Sequence, residues 1–419
     1  MTRLAFLAFV VYFVGSGQLA SIAAEPSGWP NWRGPMGTGT AQPGSYPTQW
    51  SADAHIDWQA ALPGRGASTP VVASERLYVS SADEEANTLQ AFQIDGKPLW
   101  QIQIGKPRAS KHKKATGCNS SPITDGQRIY AYFKSGDLAC VSTTGEVLWH
   151  VNLQSKYGED TLWWDLGTSP VLTDKAIVIA VMQSGPSYLL ALDRQSGAEL
   201  WRANRELPAP NEANQSYSTP VVAQIAEQQV LLTLGADHLT CHRASDGELL
   251  WKVGGFNPEQ QQFFRSIASP VLAEGLVICP YARGNLLTAI RSEASTDADR
   301  VAWQRNDLGS DVPTPAVSGS RLYVVGDKGM LWCLDAKSGK TLWEEQLPKS
   351  RHAFSSSPVV AGGHVYIVRE DATTFVVKDG SQFELVATNS LSGSTVATPV
   401  LTSQHLFFRT YDRLYCIGR

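Results

Sequence analysis

The chain has six cysteines in 419 residues, yet no two are adjacent, none forms C-x-x-C, and none sits in a C-x-x-C-H haem-attachment pattern. A vicinal redox disulfide, a zinc ribbon, a thioredoxin-like centre and covalent haem therefore have no support. G-x-S-x-G and H-E-x-x-H are also missing, so neither an esterase elbow nor a metalloprotease helix is indicated. Neither sign of charge dominates: 35 Lys and Arg stand against 39 Asp and Glu, too weak a bias to argue for nucleic acid. The glycine-rich stretch Gly34–Gly39 follows no strand and opens no helix, which argues against a phosphate loop. His238 and His242 are four apart; on a strand that is about 13 Å, too far to share a metal. No catalytic residue and no metal ligand is predicted.

Long apolar runs are scarce too. The one present, Leu4–Val14, follows Arg3 and leads into the small residues Ser21-Ile22-Ala23-Ala24. That order of a basic end, a short apolar run and a small-x-small site predicts a signal peptide over 1–24. The run is too short for a membrane anchor, and no cysteine marks a lipoprotein site. The expected location is periplasmic or secreted.

What the chain does have is repetition. Eight Ser/Thr-Pro steps end in Pro70, Pro122, Pro170, Pro220, Pro270, Pro315, Pro358 and Pro399, at intervals of about 41 to 52 residues. A fixed period of that size means one supersecondary unit copied many times. Within the sixth copy, Pro313–Val317, Arg321–Gly326, Met330–Asp335 and Lys340–Glu345 read as four short strands rich in Val, Leu, Tyr and Trp. Proline lacks an N–H, so it belongs where a strand opens. Glycine recurs four residues before tryptophan at Gly96/Trp100, Gly145/Trp149, Gly197/Trp201, Gly247/Trp251 and Gly339/Trp343, as suits a tight turn with positive φ. Copy five has Asp299 where the glycine would stand before Trp303, and copy seven lacks the tryptophan.

Such four-stranded antiparallel units predict an all-β fold, an eight-bladed β-propeller. The last copy offers only three strands, while the segment around Trp58 supplies a spare one, so Trp58 is expected to close the ring. The domains are then a signal peptide (1–24), a lead-in (25–52) and the propeller (53–419). Cys140, Cys241, Cys333 and Cys416 fill one repeat position that Ala91, Ala191 and Ala289 fill in other copies. They are read as free, buried packing residues.

The units Ala191–Trp201 and Cys333–Trp343 resemble the tryptophan-docking motif of the pyrroloquinoline quinone (PQQ) enzyme repeat. The opening Trp29-Pro-Asn-Trp-Arg-Gly-Pro35 is similar to the lead-in of secreted bacterial PQQ-like repeat proteins, a group that also resembles the outer-membrane assembly factor BamB. The resemblance implies that Trp58, Trp100, Trp149, Trp201, Trp251, Trp303 and Trp343 pack between blades. Dehydrogenases of this type hold PQQ and calcium in the central channel. Their vicinal cysteines are absent here, and no segment matches their calcium and catalytic residues one by one. No cofactor is predicted.

Loops from the outer strand of one blade to the next are long after Trp100, Trp149, Trp201 and Trp251, and short after Trp58 and Trp303. Long loops on one face are where function resides. They carry Trp163, Trp164 and Asp165, the basic residues Lys111, Lys113 and Lys114, and Arg265, which together form the candidate interaction surface. The leading reading is an exported, monomeric, non-catalytic scaffold for an envelope protein or polymer. The alternatives are a PQQ- and calcium-dependent alcohol or sugar dehydrogenase, with Asp165, Glu212 and Asp311 as nearest carboxylates, and a carbohydrate-binding propeller.

Overall fold

The computed structural model describes residues 28–418; the signal-peptide reading lies outside them. Eight four-stranded antiparallel sheets follow one another along the chain, one of them extended by a short fifth strand. In each copy the inner strand starts right after the Ser/Thr-Pro step, as at Val71–Ala73, Val221–Ile225 and Val400–Thr402. The eighth blade is built from both ends of the chain. Ile56–Ala61 pairs antiparallel with Arg413–Ile417, placing Trp58 opposite Cys416. The spare strand therefore closes the ring as the sequence predicts. All six cysteines are free and buried. Among the described residues, no helix is long and apolar enough to cross a membrane.

The Ser/Thr residues join the blades at the centre. The backbone N–H of Thr69 donates to the Ser121 hydroxyl, Ser121 to Ser169, Ser169 to Thr219, Thr219 to Ser269, Ser269 to Thr314, and Thr314 to Ser357. Thr398 donates to Thr69 and bridges the last blade to the first. These links are 2.8–3.2 Å long and lie in the buried interior. A hydroxyl at this position satisfies a neighbour's N–H that a buried inner strand would otherwise leave unpaired.

The tryptophans join the blades further out. The indole N–H groups of Trp58, Trp100, Trp149, Trp201, Trp303 and Trp343 donate to the carbonyls of Ile94, Thr143, Arg194, Ala244, Ala336 and Gly380, each in the next blade. The recurrent glycine has a second reason beyond its turn. A Cβ on Gly197 would come within 2.8 Å of the Trp149 ring, and one on Gly96 within 2.6 Å of Trp58. Where Asp299 replaces the glycine, Trp251 packs differently: the Arg300 guanidinium lies 4.3 Å from its ring centroid, a cation–π contact. In blade seven, Phe383 meets Trp343 edge-on.

Each blade also carries a β-bulge at one position of its outer strand. The extra residue is Asp57, Leu99, Leu148, Leu200, Leu250, Ala302, Leu342 or Val386. A bulge re-aims side chains and deepens the local twist, which lets the outer edge of each blade wrap against the next.

The lead-in crosses the channel from beneath. Gly28–Trp29 pairs with Val72 and Ala73 of blade one, and Pro30 accepts from Thr124 in blade two. On the opposite side Thr38 accepts from Val317, and Gly39 and Ala41 pair with Val360. Between them, buried Arg33 donates to the carbonyls of Pro315 (2.7 Å) and Pro358 (3.1 Å). Burial holds its guanidinium well below the usual value, at about 9. The lead-in is thus a plug that closes one end of the ring.

Two stability changes are expected. Ser269→Ala removes the acceptor of the Thr219 N–H and should lower unfolding free energy by about 1–3 kcal/mol, while Ser269→Thr leaves it near wild type, both measured by urea unfolding. Gly197→Ala should cost more than Gly126→Ala, because both have positive φ but a Cβ at Gly126 meets open space. Equal midpoint shifts would contradict the docking role of Gly197.

Candidate functional site

The plug makes the channel a cup. A cavity of about 520 Å³ opens on the loop-rich face, with Trp32 of the lead-in and the Ser/Thr belt among its lining residues. That volume is within the range of small-molecule sites.

The residues singled out one by one in the sequence form a single chain of contacts over the mouth. Asp165 is buried and pairs with Lys134. It also accepts the backbone N–H groups of Lys111 (2.8 Å) and His112 (3.1 Å). The His112 ring packs edge-on against Trp164. The Trp164 indole donates to Glu212 (2.6 Å), Glu212 faces Arg265 (3.5 Å), and Arg265 donates to Asp311 (3.2 Å). This sequence of contacts links five successive inter-blade loops. The backbone N–H groups of Trp163 and Trp164 donate to the Gln215 side chain and the Tyr217 hydroxyl, and the backbone of Ala213 is tied to Gln262.

The outcome for each predicted surface residue differs. Trp163 and Trp164 remain 48% and 42% exposed, and Phe263, on the loop after Trp251, is 52% exposed. Asp165 is not on the surface: a carboxylate with a lysine and two N–H partners anchors the basic loop beneath the tryptophans. Lys111 faces Asp160, and Arg108 pairs with Glu159 and Asp160. Lys114 reaches Glu370 of blade seven at 2.7 Å. Only Lys113, of the three predicted lysines, has no ion-pair partner among the described residues. The basic loop is a brace across the mouth rather than an open cationic patch. Arg265 lines the cavity, and its Nη1 is buried without a hydrogen-bond partner among the described residues. Asp327 also lines the cavity; burial, with Asp311 adding to it, raises its carboxyl to about 6.

A family model described as outer membrane protein assembly factor BamB matches residues 48–206, 143–296 and 292–383. The chain belongs to that family. BamB of Yersinia pestis is 22% identical over 284 residues, which cover 67% of this chain and 64% of that relative, just under two thirds of its length. BamB of Shewanella oneidensis is 21% identical over 346 residues, 79% of this chain and 80% of its own. Among solved structures, BamB from Moraxella catarrhalis superposes with a TM-score of 0.62 at 14% identity, covering 86% of this chain and 98% of that one. A europium-containing methanol dehydrogenase superposes with a TM-score of 0.69 at 12% identity, covering 94% and 99%. These superpositions show the fold alone.

The dehydrogenase likeness raises the question of PQQ with calcium, and the residues present do not fit that pair. Calcium takes several converging oxygen ligands that are free to coordinate it; the candidates here are Asp165, Glu212 and Asp311. Each is already engaged by Lys134, by Trp164 and Arg265, or by Arg265. The vicinal cysteines are missing, and Cys118, behind the belt, is wholly buried.

A pH dependence follows from Asp327. Its folded carboxyl binds a proton more tightly than an unfolded one, so its contribution is fully present below about pH 4 and is lost as pH rises through about 6. Asp327→Asn should flatten a fall in stability over that window, on the order of 3 kcal/mol at most. Melting curves from pH 4 to pH 7 on both proteins check it, and identical profiles would count against a strained Asp327.

Proposed function

We propose that this chain is an exported, non-catalytic scaffold that docks a protein partner on its loop-rich face and serves the assembly of outer membrane proteins, as the name of its relatives describes. One observation carries the reading. Trp163, Trp164 and Phe263 stand exposed on two loops that are fixed to a third loop between them, beside the mouth of a cup. Exposed aromatics on a pre-ordered surface lose little freedom on binding and dominate interface energetics. Lys111 and Lys114 nearby are committed to carboxylates, which favours a protein partner over an anionic polymer. The engaged carboxylates at the mouth favour docking over calcium-dependent oxidation.

A photo-crosslinker placed at Trp163 in the full-length protein should trap an envelope protein in cells. The same group at Gly126, on the other side of the ring, should trap none. Trp164→Ala should cut the adduct at least tenfold and lower the folded fraction of outer membrane proteins, while the variant itself stays folded at the assay temperature. Saturable PQQ and calcium binding with dye-linked alcohol turnover would overturn the reading, as would an adduct that Trp164→Ala leaves unchanged.

A further inference from the structure

The closing blade combines three residues that no other blade brings together, although blade seven also carries a histidine, His364, at the start of its second strand. The bulge residue of the outer strand is apolar in every other blade but is Asp57 here. The facing position at the start of the second strand holds His405. The packing position of the third strand holds Cys416. One ligand atom from each lies within 4.8 Å of the other two. Blades two, four and six also carry the cysteine, as Cys140, Cys241 and Cys333. Their bulges place Leu148, Leu250 and Leu342 beside it. The repeat therefore provides its own comparison: the cysteine alone is packing, and only blade eight adds an imidazole and a carboxylate.

The imidazole is oriented as a ligand. His405 Nδ1 contacts the Ser403 carbonyl oxygen at 2.7 Å, which fixes the N–H on that nitrogen and leaves the lone pair on Nε2. Nε2 faces Asp57 Oδ2 at 3.5 Å. Two acceptors that face each other need a positive charge shared between them, either a proton on the imidazole or a metal ion. A backbone-tethered Nδ1–H with Nε2 left for the metal is the usual second-shell arrangement around a ligating histidine.

We propose that Asp57, His405 and Cys416 bind one zinc ion, with water in the fourth position. A sulfur, nitrogen and oxygen donor set in this number suits Zn²⁺ rather than a hard cation. On binding, the Cys416 thiol gives its proton to solvent and its sulfur becomes the thiolate ligand. Asp57 belongs to the strand from the N-terminal side of the chain, and His405 and Cys416 to the two C-terminal strands beside it. The ion clasps the one blade whose strands are not contiguous in sequence. It stabilises the folded state over an unfolded chain in which these ligands are far apart.

The test uses full-length protein stripped of metal with a chelator. Zn²⁺ titrated by calorimetry should bind one ion per chain and raise the melting temperature. Co²⁺ should give a visible d–d band and a near-ultraviolet thiolate-to-cobalt band. Asp57→Leu, His405→Arg and Cys416→Ala each install a residue that other blades carry at that position, so the fold should survive. Each should weaken Zn²⁺ binding by more than about tenfold, and Cys416→Ala should abolish the thiolate band. The proposal is overturned if the wild type and Asp57→Leu bind zinc alike, if Co²⁺ gives no thiolate band, or if zinc leaves the wild-type melting temperature unchanged. The last result would mean an ordinary His–Asp ion pair.

Discussion

A propeller's inner strands are crowded at the axis, where neighbouring backbones bury their amides against one another. The hydroxyl-to-amide belt is the answer this chain repeats. A Ser or Thr before seven of the eight prolines accepts the N–H of its neighbour, so the innermost backbone there is satisfied only when the next blade is in place. The proline supplies no N–H of its own and fixes φ for entry into the strand. Nearest-neighbour dependence of this kind makes stability a sum of interfaces, and it penalises an open ring at the seam. That the seam link runs from Thr398 to Thr69 is why closure matters beyond the outer strand.

The tryptophan docking works on the same principle at larger radius. Six of the indoles donate to a carbonyl in the next blade, and the recurrent glycine provides a floor without a side chain. Where the glycine is lost at Asp299, the floor is rebuilt from Arg300. The substitution leaves the period intact because it changes which group faces the ring rather than whether one does.

Much of this was legible in the sequence because a repeat reports its own geometry. Eight prolines gave the blade count, and a copy short of one strand pointed to Trp58. What could not be read were the contacts made by segments outside the repeat. The plug has no periodicity, and its anchors are carbonyls such as Pro315 and Pro358, 282 and 325 residues from Arg33. The contacts from His112 to Asp311 run between loops of neighbouring blades, so each member looked isolated. Asp165 was misplaced because its sequence neighbours are exposed tryptophans, while its partner Lys134 sits in the preceding blade's hairpin. Asp57, His405 and Cys416 lie at opposite ends of the chain, and only the strand swap brings them together.

The plug gives the ring a front without a back. A rotationally repeated tube would let a polypeptide or glycan thread through its axis, and the two faces would compete for partners. With Arg33 holding the lead-in across the floor, whatever enters the cup must leave by the way it came. The ring is therefore shaped as a receptacle rather than a conduit, open on the side where the unequal loops stand.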